Sequence, residues 1–111
     1  MRLLLFLGLV AAPLAAAETK VVNMVAERFS FVPSQVKVKV GTVVEFRITS
    51  EDTNHGFRMV EAGINEVIPK RGKGELKVVY RTEKPGRYAF ECSKPCGAGH
   101  TIMRGVLIVE E

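Results

Sequence analysis

Cys92, Cys96, His100 and Met103 fall within one run of twelve residues, Cys92-Ser-Lys-Pro-Cys96-Gly-Ala-Gly-His100-Thr-Ile-Met103. Two thiols, an imidazole and a thioether form a donor set suited to soft, redox-active copper. The run holds both cysteines of the chain and one of its two histidines. The other, His55, lies far upstream in Asn54-His55-Gly56-Phe57, after the polar, turn-prone segment Ser50-Glu-Asp-Thr-Asn54. A thiol binds metal only as thiolate, and a bound cation lowers its pKa enough to ensure that state. Two neighbouring thiolates repel each other, and cations between them relieve the repulsion. The set therefore suits one soft ion, or two ions sharing both sulfurs.

Each of these residues has a plainer use. Two cysteines in an exported chain can form a small-loop disulfide. Zinc can take a Cys2His2 set, but Cys-x3-Cys-x3-His is unlike the usual finger spacing, and zinc has no need of a thioether. A mononuclear blue-copper site needs one cysteine, two histidines and a weak methionine, which leaves the second cysteine without a role. Met24 and Met59 read as packing residues. Asp52 suits hydrogen bonding to a ligand histidine, although a solvated turn carboxylate is the reading favoured by its polar segment. Arg58 and Arg104 flank candidate ligands as docking contacts or solvated charges. There is no Ser–His–Asp pattern, phosphate loop or paired-acid motif, so no catalysis is expected from the chain alone.

These residues need a rigid frame, and the hydrophobic pattern supplies one. Val36-Lys37-Val38-Lys39-Val40 alternates with period two, valines inward and lysines outward. Val44, Phe46 and Ile48 resume an inward face after the turn at Gly41-Thr42, and Leu76, Val78 and Tyr80 repeat it. Tyr88 and Phe90 follow Lys84-Pro85-Gly86. A strand near Val21 to Ala26 and an apolar run from Val106 to Val109 complete about seven short strands. No amphipathic helix stands out. The pattern predicts an all-β sandwich or small barrel, with His55 and the Ser93–Thr101 segment in loops or at strand ends. Gly97 and Gly99 allow a tight backbone path around a small centre.

Met1-Arg2, the apolar stretch Leu3–Ala12 and the small residues ending in Ala15-Ala16-Ala17 form the pattern of a cleaved secretory signal peptide over residues 1–17. The stretch is shorter than the roughly 20 residues that span a bilayer, and an uncleaved anchor is the alternative. Residues 18–111 then form one domain, with no second stretch able to cross a membrane, in a periplasmic or other extracytoplasmic space. The net charge of +4 is spread among interleaved acids and bases. No dense basic block carries stacking aromatics, so nucleic acid is not an expected partner.

The ligand spacing resembles the binuclear copper A motif, C-x-E-x-C-x3-H-x2-M, of cytochrome c oxidase subunit II and, more distantly, of nitrous oxide reductase. Phe29-Ser-Phe-Val-Pro33 leading into Val36–Val40 is similar to the start of that copper domain. Phe46-Arg-Ile-Thr-Ser50 followed by Asn54-His55-Gly56-Phe57 resembles its first ligand loop, and Pro85-Gly86-Arg87-Tyr88 its approach to the second. The resemblance implies a cupredoxin, a Greek-key β-sandwich with metal at one end. It implies that Cys92 and Cys96 bridge two copper ions, His55 and Met103 completing one and His100 and the backbone carbonyl of Lys94 the other. Lys94 stands where the family usually has Glu; a carbonyl ligand is indifferent to the side chain, but the added positive charge favours the reduced state.

Subunit II usually carries transmembrane helices before its copper domain, and none is expected here in residues 18–111. The chain also has no tryptophan, whereas the family commonly uses aromatic residues near the site for electron entry from cytochrome c; Phe31 and Phe57 are the candidates to stand in. The implied function is one-electron transfer by a monomeric domain between redox proteins, with cytochrome c and a terminal oxidase as the suspected donor and acceptor. A periplasmic copper chaperone or copper store is the alternative.

Overall fold

The computed structural model describes residues 17–111. Apart from Ala17, the expected signal segment lies outside them. Strands β1 (Thr19–Glu27), β2 (Ser30–Val32), β3 (Gln35–Lys39), β4 (Val43–Ser50), β5 (His55–Met59), β6 (Ile64–Ile68), β7 (Leu76–Arg81), β8 (Gly86–Glu91) and β9 (Arg104–Glu110) form the frame. They build two sheets, one ordered β2-β1-β4-β7 and the other β3-β9-β8-β5-β6. β1 runs parallel to β4 and β3 parallel to β9, while the other pairings are antiparallel. The expected all-β sandwich is the fold observed. Among the described residues no helix is long and apolar enough to cross a membrane.

The alternating residues fill the space between the sheets. Val36 and Val38 are buried and Lys37 and Lys39 exposed, as the period-two pattern predicts; Val44, Phe46 and Ile48 are fully buried. Val40 differs: it is 37% exposed, because β3 ends at Lys39 and Val40 lies beyond the core, its N–H bonded to the Glu110 carbonyl. The apolar run from Val106 to Val109 buries only Leu107 and Val109 fully, every second residue. At the centre, Phe31, Phe46, Phe57 and Phe90 meet with ring centroids 5.2–6.2 Å apart. Burying each ring stabilises the fold by roughly 1.5–3 kcal/mol. This cluster overturns one expectation: Phe31 and Phe57 are 1% and 0% exposed, so neither offers an aromatic surface for electron entry. Met24 and Met59 belong to the same core, as expected.

Topology brings the candidate ligands to one pole. β4 and β8 both end there, β5 and β9 both begin there, and the two connections between them carry the polar turn before His55 and the cysteine loop. The turn after β3, with Gly41 at φ 93°, marks the opposite pole.

Candidate metal centre

Cys92 is the first residue after β8, and its N–H still bonds the Met103 carbonyl at 3.0 Å, one step beyond the β8–β9 ladder. The loop between them therefore starts and ends on a common base. Gly97 turns it with φ 139°, a conformation that side-chain-bearing residues rarely adopt. A short 3-10 turn, His100–Ile102, closes the loop: the His100 N–H bonds the Gly97 carbonyl at 3.1 Å, and the Met103 N–H bonds the His100 carbonyl at 3.3 Å. His55 opens β5 opposite Ile68, so the sheet fixes its backbone.

The five side chains named from the spacing converge, together with the Lys94 carbonyl. The two sulfurs of Cys92 and Cys96 lie 3.6 Å apart. His55 Nδ1 is 3.8 Å from Cys92 Sγ, and His100 Nδ1 is 3.7 Å from Cys96 Sγ. The Lys94 carbonyl accepts from the Cys92 thiol at 3.2 Å, and Met103 Sδ is 3.9 Å from Cys96 Sγ. Each sulfur thus has one imidazole nitrogen and one weaker donor beside it. The donor atoms of His55, Cys92 and Cys96 all lie within 4.8 Å of one another. His55, Cys92, Cys96 and Met103 are buried, at 0–4% exposure, while His100 is half-buried and is the imidazole facing outward.

The surroundings hold the donors in place. Asp52 Oδ1 lies 2.6 Å from His55 Nε2, which fixes the ring and leaves Nδ1 turned toward Cys92. The sequence favoured a solvated carboxylate at this position; the structure instead makes it the partner of the buried histidine. Burial works to raise the Asp52 pKa, but hydrogen bonds from the Arg28 N–H, the His55 ring and the Thr53 N–H outweigh it and hold the carboxyl below its ordinary value. The Gly56 N–H points at Cys92 Sγ from 3.5 Å. A side chain on Gly56 would overlap the Ser93 hydroxyl, so glycine is what lets the cysteine loop lie this close to β5. Arg58 pairs with Glu91 at 2.8 Å, and Arg104 reaches the same carboxylate at 3.8 Å. The two arginines are therefore bound into an ionic cluster beside the site.

The residues fit a metal. Both cysteines are free, with their sulfurs 3.6 Å apart, so the disulfide the sequence also allowed does not join them in this structure. A thiolate–metal bond of about 2.3 Å lets one ion touch both sulfurs across the 3.6 Å gap. Burial, reinforced by the hydrogen bond and charge of Cys92, pushes the Cys96 thiol up to about 11, with the Arg28 charge opposing. Burial therefore keeps this thiol protonated without metal; the costly state is the thiolate pair, whose charge a bound cation offsets as it displaces the protons. Arg28 and Phe29 are the contributors that sequence reasoning missed. Arg28 Nε donates to the Cys96 carbonyl at 2.7 Å, and the Phe29 ring lies against Gly97 and Gly99. Phe29 belongs to a segment the resemblance covers, but no local motif marks a role at the site for either residue, since the Arg28–Cys96 contact spans 68 residues.

Residues 1–109 match the family described as a cupredoxin-like domain. Over 92 residues the chain is 38% identical to cytochrome c oxidase subunit 2 of Thermus thermophilus, covering 81% of this chain and 65% of that protein. For a second T. thermophilus subunit 2 the covered share of the relative is 52%, so the chain spans between half and two thirds of these relatives. Among solved structures it is similar to a heme-copper terminal oxidase determined by cryo-electron microscopy, with TM-score 0.73, 30% identity, and 82% of this chain and 65% of that one covered. The periplasmic domain of subunit II of cytochrome oxidase from Bradyrhizobium japonicum shares the fold, with TM-score 0.72 at 17% identity over 83% of this chain and 84% of that one. The chain belongs to the cupredoxin-like domain family and is homologous to the copper A domain of cytochrome c oxidase subunit II.

Proposed function

We propose that this domain is an extracytoplasmic one-electron carrier built around a binuclear copper A centre. The observation that carries the reading is the thiol pair, 3.6 Å apart and flanked by one imidazole Nδ1 on each side. Cys92 and Cys96 would hold both ions between them, with His55 and Met103 completing the donor set of one and His100 and the Lys94 carbonyl that of the other. Each of these pairs draws one donor from the Cys92 side and one from the Cys96 side. Bound there, two coppers sharing both thiolates supply a one-electron redox couple whose charge is spread over several soft donors.

The chain's own residues supply rigidity and access. The Cys92–Met103 backbone bond, the Asp52–His55 contact and the Gly56 N–H hold the donors where the two sheets fix them. A frame that cannot relax between oxidation states limits the reorganisation accompanying electron transfer. His55 is closed off from water, whereas half-buried His100 sits beside exposed Thr101 and Ile102. Electrons therefore enter and leave over the His100 face, by contact with a redox partner. The relatedness to subunit II supports a c-type cytochrome as donor, a terminal oxidase as acceptor and a position outside the cytoplasmic membrane. Residues 1–17 serve as the export signal, and residues 18–111 as the working domain.

Copper stoichiometry with visible and electron-spin spectra on the purified domain tests the reading. Two coppers per chain, a purple colour and a seven-line mixed-valence signal are expected, and Cys96→Ser abolishes that signal. Colourless, readily exchanged copper(I) would assign the domain to copper delivery or storage instead. Two coppers with unchanged absorption in Cys96→Ser would overturn the bridging assignment.

A further inference from the structure

The two candidate ligand loops are joined only sparsely by the sheet that carries them. β5, which begins at His55, meets β8, which leads into Cys92, through a single bridge, Arg58↔Glu91. Near the site the Gly56 N–H to Cys92 Sγ contact, at 3.5 Å, adds a weak link. A second connection comes from the other sheet. β1 and β2 form a hairpin in which Glu27 pairs with Ser30, leaving Arg28 and Phe29 as a two-residue tip that reaches over the metal pole.

That tip grips both loops. On the His55 side, the Arg28 N–H donates to Asp52 Oδ2 at 3.0 Å, and the Glu51 N–H donates to the Ala26 carbonyl at 3.0 Å. The other oxygen of the same carboxylate holds His55 Nε2 at 2.6 Å. On the cysteine side, Arg28 Nε donates to the Cys96 carbonyl at 2.7 Å, a short bond from a charged donor and so among the stronger kind. The Phe29 ring covers the next turn of that loop. A Cβ on Gly97 would come within 2.9 Å of the ring, and one on Gly99 would overlap it. His55, Asp52, Arg28 and Cys96 thus form one continuous chain of contacts.

We infer that the Arg28–Phe29 tip is a positioning clamp that locks the Asp52–His55 loop to the Cys96–His100 loop, so that the two halves of the donor set move as one body. Its bearing on electron transfer rests on the function proposed above; the coupling itself is a property of the protein without metal. Networks of this kind reveal themselves by non-additivity, because a change at one member reaches another only while the link between them is intact.

The test uses residues 18–111 and the same four variants throughout: the parent, Asp52→Asn, Arg28→Ala and the double substitution. In the metal-free protein, backbone amide shifts of Gly97, Ala98, Gly99 and His100 are followed by nitrogen-15 NMR. Asp52→Asn is expected to move these signals in the parent, and by less than half as much in the Arg28→Ala background. Equal displacement in the two backgrounds, or none in the parent, overturns the clamp. In the copper-loaded protein, Arg28→Ala is expected to speed copper transfer to excess chelator about tenfold, with Arg28→Lys restoring part of the retention; a rate unchanged by Arg28→Ala also overturns the clamp. Arg28 is exposed, so its truncation opens no core cavity; should it nonetheless fail to fold, Arg28→Gln takes its place. A domain that binds no copper yet shows the amide coupling would sink the proposed function and leave the clamp standing.

Discussion

Substituting Asp52 separates a histidine held in place from one that merely happens to face the sulfurs. Asp52→Ala removes the carboxylate 2.6 Å from His55 Nε2 and strands a ring nitrogen on a residue with 0% exposure. Losing the outer partner of a ligand histidine typically costs 10–100-fold in metal affinity, about 1.4–2.7 kcal/mol. The structure selects the lower end. The Asp52 side chain is itself 28% exposed, so the vacated space opens to solvent and a water can take up part of the lost bond. A loss of about tenfold in copper affinity is therefore expected for Asp52→Ala. Asp52→Asn keeps the shape but replaces a charge-assisted bond with a neutral one of roughly half the strength, so a loss of only a few-fold is expected. Copper competition with a chelator at neutral pH measures both, and melting of the metal-free variants separates the effect on affinity from that on the Arg28 and Thr53 N–H bonds, which also end on this carboxylate. An Asp52→Ala affinity within twofold of the parent would refute the reasoning, since His55 would then be oriented without its carboxylate.

Other substitutions and conditions probe the frame and the thiols. Gly56→Ala drives a methyl into Ser93; it should cost about 1–3 kcal/mol in denaturant unfolding and weaken copper binding as the Lys94 carbonyl is displaced. Phe46→Ala empties part of the four-ring core and should cost about 3–5 kcal/mol, read from the shift in unfolding midpoint. With the Cys96 thiol raised from 9.0 to about 11, the folded metal-free protein holds this proton more tightly than the unfolded chain. Its stabilising contribution is complete below pH 9 and is lost as pH rises toward 11, so melting temperatures of the metal-free protein should fall across that window. For the same reason copper binding must displace this proton near neutrality, and apparent affinity should rise with pH by up to about tenfold per unit for this thiol; a pH-independent affinity would contradict it.

Much of the frame was legible because its strands alternate over one buried face, as Val44, Phe46 and Ile48 do. β2 and β6 escaped the sequence reading for a physical reason. Ser30–Val32 has only three residues, and Ile64–Ile68 exposes Asn65, Glu66 and Val67 in succession, so neither shows period two. The candidate site was legible as a cluster of possible donors because sulfur and imidazole are rare in this chain and their spacing is distinctive. What supports the donors was not. Asp52 sits three residues before His55 in a run of polar residues, where nothing local distinguishes a solvated carboxylate from one aimed at a buried ring. Phe31 and Phe57 read as candidates for electron entry because the resemblance to subunit II implies aromatic residues near the site and the chain has no tryptophan, yet the need to fill the space between two sheets claimed both. Arg28 and Phe29 reach the cysteine loop across 68 residues of chain, and only the three-dimensional fold brings them together.

The parallel pairing of β1 with β4 also decides where the chain can be attached to anything else. The Glu18 carbonyl accepts from the Val43 N–H, and the Glu110 carbonyl from the Val40 N–H, so residues 18 and 110 both meet the β3–β4 turn at the pole away from the cysteine loop. A linker, a lipid tether or a neighbouring domain joined at either point would leave the His100 face uncovered. The sandwich is in this sense a socketed part, with its candidate metal centre at one pole and residues 18 and 110 at the other, and could be fused to a carrier or fixed to an electrode without blocking the side on which, under the proposed function, electrons would pass.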